Sequence, residues 1–154
     1  MATLNFKIIK NFFNKNELLL LQKYCFKKIE ENNNTIDEYS FSPSWYEDIL
    51  MTSILETKLE LVEEASDKKL LPTYAYWRYY VFGGDLKKHT DRPACEISVT
   101  ACIKKFNDWP LTIENSTIEL NQGDALLYAG CVHSHSRPGV YKGEGMAQAF
   151  FHYV

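Results

Sequence analysis

The chain is poor in arginine. Only Arg78, Arg92 and Arg137 occur in 154 residues, and the formal net charge is -3. That balance offers no basic face for a polyanionic backbone or an acidic membrane surface, so neither nucleic acid nor membrane is expected as a partner. No stretch approaches the ~20 apolar residues that a membrane span needs. The start, Met-Ala-Thr-Leu-Asn-Phe-Lys, lacks the apolar run of a leader, and a cytoplasmic location is the expectation. The four cysteines, Cys25, Cys95, Cys102 and Cys131, include no CxxC pair and follow no zinc-ribbon or disulfide spacing. Four reduced thiols are therefore expected. No internal repeat is evident. The length suits one domain with one core, residues 1–154.

What is present divides into two textures. Residues 4–9 alternate partly and read as a short strand. Asn14-Lys-Asn-Glu17 has the form of a capping box, opening a helix to about residue 31 whose apolar stripe includes Leu18, Leu21, Cys25 and Ile29. Residues 35–44 read as irregular. Ser44 is expected to cap a second helix that runs to about Ser66, with Glu47 and Asp48 in its first turn. From Pro72 onward helical periodicity gives way to short strands rich in aromatic and β-branched residues, separated by Gly83-Gly84-Asp85, Asn121-Gln122-Gly123-Asp124 and Pro138-Gly139. The expected fold is α+β, mainly β: residues 1–71 as helical support, and residues 72–154 as a sandwich or barrel.

The chemistry-bearing residues gather in that second half. All four histidines and all three arginines lie there. His89-Thr90-Asp91 sets an imidazole and a carboxylate two residues apart, where both can grip one ion. His133 or His135 can supply a third ligand. Two histidines and one carboxylate on one face leave open positions opposite, the facial arrangement of non-haem Fe(II) oxygenases. Mn²⁺, Ni²⁺ and Zn²⁺ are not excluded by such donors.

Three stretches together carry a resemblance. Tyr80-Val-Phe-Gly-Gly-Asp-Leu-Lys-Lys-His89-Thr-Asp91 joins a strand tyrosine to a glycine turn and HxD. Glu96 to Ile103 follows as a strand, and Gly123-Asp124-Ala-Leu-Leu-Tyr128 leads to the late histidines. In this order they resemble the prolyl-4-hydroxylase-like branch of the Fe(II)/2-oxoglutarate dioxygenases, over roughly Tyr74 to the end. The resemblance implies a double-stranded β-helix, a jelly-roll or cupin-like barrel, preceded by two supporting helices. It implies Fe(II) held by His89, Asp91 and His135, with O₂ and 2-oxoglutarate as cosubstrates. His135 is preferred to His133 because His135-Ser136-Arg137 resembles the His-x-Arg ending of a small-protein branch. The implied activity is hydroxylation of a peptidyl residue, such as proline, or of a small molecule.

One departure from the family matters. Its usual basic residue on the last strand is missing, since Gly145-Met-Ala-Gln-Ala-Phe-Phe has none. Arg137, two residues beyond His135, is the first substitute for binding the far carboxylate of 2-oxoglutarate. Lys104 is the second, because related enzymes place a lysine on the matching strand. Tyr80 is expected to assist, and Arg78 shares its parity. Arg92 and Asp85 are expected to pair and fix the loop, and His152 to sit half-buried without a ligand's role. Two rival readings are a cupin-like metal barrel that does not use 2-oxoglutarate and a non-catalytic binding module on the same fold. Substrate identity and oligomeric state are not legible.

Overall fold

A computed structural model describes residues 5–154. The expected strand over residues 4–9 is observed as β1 (Lys7–Ile9); Leu4 lies outside the described residues. Asn14 and Glu17 make the reciprocal capping box, Asn14 Oδ1 accepting from Glu17 N at 2.8 Å and Glu17 Oε1 from Asn14 N at 2.9 Å. Helix α1 (Lys15–Glu31) follows, and it ends at Asn32, whose left-handed backbone suits asparagine.

The next segment corrects the sequence reading. Residues 35–44, expected to be irregular, lie in a strand pair instead: β2 (Thr35–Asp37) and β3 (Ser42–Tyr46) are antiparallel. Ser44 is not a cap but lies in β3. Asp48 caps instead, Oδ1 accepting from Met51 N at 3.0 Å. The single helix expected to Ser66 is two, α2 (Ile49–Thr57) and α3 (Leu59–Ser66), broken at Lys58. Lys58 reaches Glu17 at 3.0 Å and so ties this break to α1. The division at residue 72 is also less clean than expected, because the first half contributes three strands.

The remaining strands are β4 (Pro72–Tyr80), β5 (Ile97–Lys105), β6 (Leu111–Ile113), β7 (Ser116–Ile118), β8 (Ala125–Tyr128), β9 (His135–Ser136) and β10 (Met146–Tyr153). They build two antiparallel sheets, β1-β8-β5-β10-β4-β3-β2 and β7-β6-β9. This is the mainly β jelly roll that the sequence suggests.

Strand alternation divides the large sheet's side chains between two cores. Ala75 and Trp77 of β4, Val99, Ala101 and Ile103 of β5, and Ala149 and Phe151 of β10 pack with Leu21, Met51 and Val62 of the helices. The opposite face meets the small sheet, where Cys102, Leu126 and Tyr128 pack with Leu111 and Ile113. Strand β10 lies between β4 and β5 with all eight residues buried, so its inward face, Met146, Gln148, Phe150 and His152, is the floor of the barrel interior. Trp45 stacks on Trp77 with centroids 3.9 Å apart, a contact worth about 1 kcal/mol beyond burial. The aromatic residues of β4 serve both faces: Trp77 and Tyr79 join the helical side, whereas Tyr76 and Tyr80 point inward.

Candidate metal centre

The backbone brings the two halves of the HxD…H motif side by side. Segment 86–91 runs antiparallel to 130–137. Arg137 N donates to Leu86 O at 2.9 Å, His89 and His135 exchange backbone bonds of 3.1 and 2.9 Å, and Asp91 N donates to Gly130 O at 2.7 Å. The segment thus extends the small sheet beyond β9. Register, not sequence proximity, sets the imidazoles against the carboxylate.

Asp91 Oδ1 lies 3.4 Å from His89 Nε2 and 3.2 Å from His135 Nε2. Each Nδ1 faces a backbone carbonyl, Lys87 O at 2.6 Å for His89 and His133 O at 2.9 Å for His135. A carbonyl only accepts, so the proton of each neutral ring belongs on Nδ1, and both Nε2 lone pairs converge beside Asp91 Oδ1. Three donors so arranged suit a divalent ion. Burial opposes charge on Asp91, but the facing His135 and His89 imidazoles outweigh it and hold the carboxyl well below the usual range. In the metal-free protein a proton added at His89 Nε2 is shared with Asp91, and that hydrogen bond, the largest influence, raises the pKa of this imidazole.

His133 has another task. Its Nδ1 accepts from Ala129 N at 3.1 Å, closing the turn before β9, and its ring meets Phe6 edge-on. It takes no part in the cluster.

The cavity beside the donors is lined by Tyr76, Thr100, Tyr128, Phe150 and His152, together with Arg78, Tyr80 and Arg137. Its free space is about 30 Å³, so a dicarboxylate fits only with movement of lining side chains. The two arginines differ in one respect. Arg78 is fully engaged: Nε donates to Ser44 Oγ at 3.0 Å, Nη1 to Tyr80 Oη at 3.2 Å, and Nη2 pairs with Asp37. Arg137, only 7% exposed, has no acid partner among the described residues. Its Nη1 donates to the Trp109 carbonyl, its guanidinium lies over Tyr80 and Trp109, and its Nε has no partner. A buried cation without a counter-charge is costly unless an anion joins it. Both guanidiniums lie 5.5 Å from the centre of the Tyr80 ring.

Lys104 is not at the site. A bulge in β5 pairs Cys102 with Gln148 but Lys104 with Ala147, leaving Ile103 as the extra residue. The extra residue reverses parity. Lys104 turns outward beside Gln22 and Phe26 of α1, and Lys105 turns inward to pair with Asp108 and Glu119. The Arg92–Asp85 pair is also not formed: Arg92 lies over the Tyr74 ring at 4.7 Å, and Asp85 N donates to Ser40 O.

The sequence reading missed three contributors. His152 is 4% exposed rather than half-buried, and it lines the cavity. Its parity with Gln148 and Phe150 was the available signal. Ser98 and Asp37, which hold Asp91 and Arg78, gave none, since only the pairing of β5 and the presence of β2 bring them there.

No family model matches the sequence. One curated relative, the DNA polymerase II large subunit of Methanococcus maripaludis, is 30% identical over 112 residues, covering 68% of this chain; the chain spans 10% of that protein's length. Similar solved structures include a Pseudomonas putida prolyl-4-hydroxylase (TM-score 0.75, 10% identity, 99% of this chain and 93% of that one). HygX from Streptomyces hygroscopicus with nickel and 2-oxoglutarate bound gives 0.72, 10%, 98% and 83%. A collagen prolyl hydroxylase of Paramecium Bursaria Chlorella virus-1, in its 2-oxoglutarate complex, gives 0.67, 14%, 96% and 94%. The chain thus has the fold found in 2-oxoglutarate/Fe(II) oxygenases, prolyl hydroxylases among them.

Proposed function

We propose that the protein is an Fe(II)- and 2-oxoglutarate-dependent oxygenase that hydroxylates a peptidyl residue, such as proline, or a small molecule. One observation carries this reading: a His–Asp–His donor set shares a cavity with a buried guanidinium that has no counter-charge among the described residues. Neither feature alone is specific. Together they match the two needs of that chemistry, a metal with open positions and an anchor for a dicarboxylate.

His89, Asp91 and His135 would hold the iron. With iron and 2-oxoglutarate bound, O₂ would serve as the oxidant, one oxygen atom entering a substrate C–H bond as hydroxyl and the other entering succinate as 2-oxoglutarate loses CO₂. The chain's own residues do the remaining work. The carbonyls of Lys87 and His133 keep both Nε2 atoms unprotonated and aimed. Ser98 Oγ, 3.2 Å from Asp91 Oδ2, steadies the carboxylate. Arg137 takes the far carboxylate, with Tyr80 beneath it. Arg78 remains with Asp37 and shapes the wall. Tyr76, Tyr128 and Phe150 exclude water from the space where substrate meets the metal.

Anaerobic titration of the Fe(II)-loaded protein with 2-oxoglutarate tests the proposal. A saturable visible charge-transfer band that disappears in His135→Ala is the expected result. Stoichiometric iron without a band would overturn it and favour a metal-binding barrel that does not use 2-oxoglutarate.

A further inference from the structure

A second group of donors adjoins the first. Asp91, Cys95 and His152 each offer one ligand atom within 4.8 Å of the others. Cys95 closes the short 3-10 turn Pro93–Cys95 that follows Asp91, and His152 comes from β10. Cys95 and His152 are both buried.

Ser98 fixes the state of the histidine. Its Oγ lies 3.2 Å from Asp91 Oδ2, 3.2 Å from the Cys95 carbonyl and 3.1 Å from His152 Nδ1. The two oxygens can only accept, so the single hydroxyl proton goes to one of them. His152 Nδ1 must then be the donor to Oγ, which leaves Nε2 as a bare lone pair. That Nε2 is buried and has no partner among the described residues. The strand pairing of β10 with β5 therefore buries a histidine whose Nε2 lone pair has no partner among the described residues, in one group with a thiol and a carboxylate.

We infer that Asp91, Cys95 and His152 form a second cation site, for a thiophilic divalent ion such as Zn²⁺, which shares Asp91 with the first. Sulfur, imidazole and carboxylate together are a zinc donor set, whereas the sulfur-free trio His89, Asp91 and His135 is not selective for it. Sharing is possible because Asp91 Oδ1 faces His89 and His135 while Oδ2 faces Ser98. Ligand atoms around one tetrahedral zinc lie roughly 3.3–3.5 Å apart, from bond lengths of about 2.0–2.3 Å, so closing the cluster requires side-chain movement on the order of 1 Å. Cys95 binds as thiolate, its proton leaving to solvent as the S–metal bond forms.

The test is anaerobic titration of the metal-free protein with Co²⁺, read in the near-ultraviolet for thiolate-to-cobalt charge transfer. The band is expected to saturate, to be absent from Cys95→Ser and to be lost in His152→Phe. It is expected to persist in Cys131→Ser, and in a His89→Ala/His135→Ala double variant that lacks the first donor set. Elemental analysis is expected to find two ions per wild-type chain and one in Cys95→Ser, whose retained ion also reports that it folds. No band at saturating Co²⁺, or a band that survives Cys95→Ser, would overturn the inference. The outcome is independent of the oxygenase reading: the thiolate band stands if 2-oxoglutarate fails to bind, and its absence leaves a 2-oxoglutarate band untouched.

Discussion

Arg137 is a guanidinium buried over two aromatic rings with its Nε unpaired among the described residues, the environment on which its proposed role as an anchor for an anion rests. Removing one partner of a buried charged pair costs 2–5 kcal/mol, so Arg137→Ala is expected to weaken 2-oxoglutarate binding by roughly a hundredfold while iron still binds. The charge-transfer titration measures both quantities in one experiment. Arg137→Lys is expected to recover only part of the loss, because a point charge cannot reproduce the planar fork. Lys104 provides the contrast. The family resemblance implies the same role for it, but its side chain lies outside the barrel beside α1. Lys104→Ala should leave 2-oxoglutarate affinity unchanged, and a loss above threefold in the same titration would mean that the β5 bulge is misplaced.

At the scale of elements, the site depends on one close approach. Segment 86–91 can reach the strand that carries His135 because residue 130 has no side chain. A Cβ at Gly130 would lie 2.5 Å from Asp91 Oδ2 and 2.6 Å from Ser98 Oγ, and would also strike the Cys95 carbonyl. Overpacking of this kind costs about 1–3 kcal/mol. Here the cheapest relief is to push Asp91 away from the imidazoles. Gly130→Ala is therefore expected to lower iron affinity at least tenfold, measured by titration, while the thermal midpoint falls only a few degrees. The same scale shows where the sequence was legible. The capping box and the β8 and β10 strands follow from local signals: Asn14 and Glu17, and apolar and aromatic runs bounded by glycine turns. Strand β3 was hidden because Pro43 and two serines read as a loop, and only its register against β2 and β4 reveals it. The Lys104 error has the same origin. A bulge is a property of pairing, and a period of two cannot reveal it from one strand.

Over the whole molecule, the two cores differ in how they respond to acid. The helical side is mainly apolar and buries one carboxylate, Asp48, which accepts from Tyr24, Trp77 and Met51, whereas the barrel interior buries titratable groups on β10 and beside the proposed metal ligands. His152 sets the sign in the metal-free protein. Burial, the largest influence, lowers its pKa from 6.5 to about 4, so the folded state keeps it neutral over a range in which the unfolded chain binds a proton. Stability from this group is complete above pH 6.5 and is lost as pH falls through 4, by on the order of 3 kcal/mol. Asp91 acts in the same direction at lower pH: its depressed pKa contributes stability above the ordinary carboxylate value that disappears below it. His89 acts oppositely. Its raised pKa contributes stability below 6.5 that is lost as pH rises through the folded value, so it adds little slope between 6.5 and 4. Urea midpoints measured across that interval in chelator-treated protein should therefore fall in the wild type, with a slope approaching one proton. His152→Gln, which has no group that titrates there, should flatten the curve. An unchanged slope in that variant would show that His152 is protonated or hydrated in the fold, and that the barrel interior beside Asp91 is wetter than its packing implies.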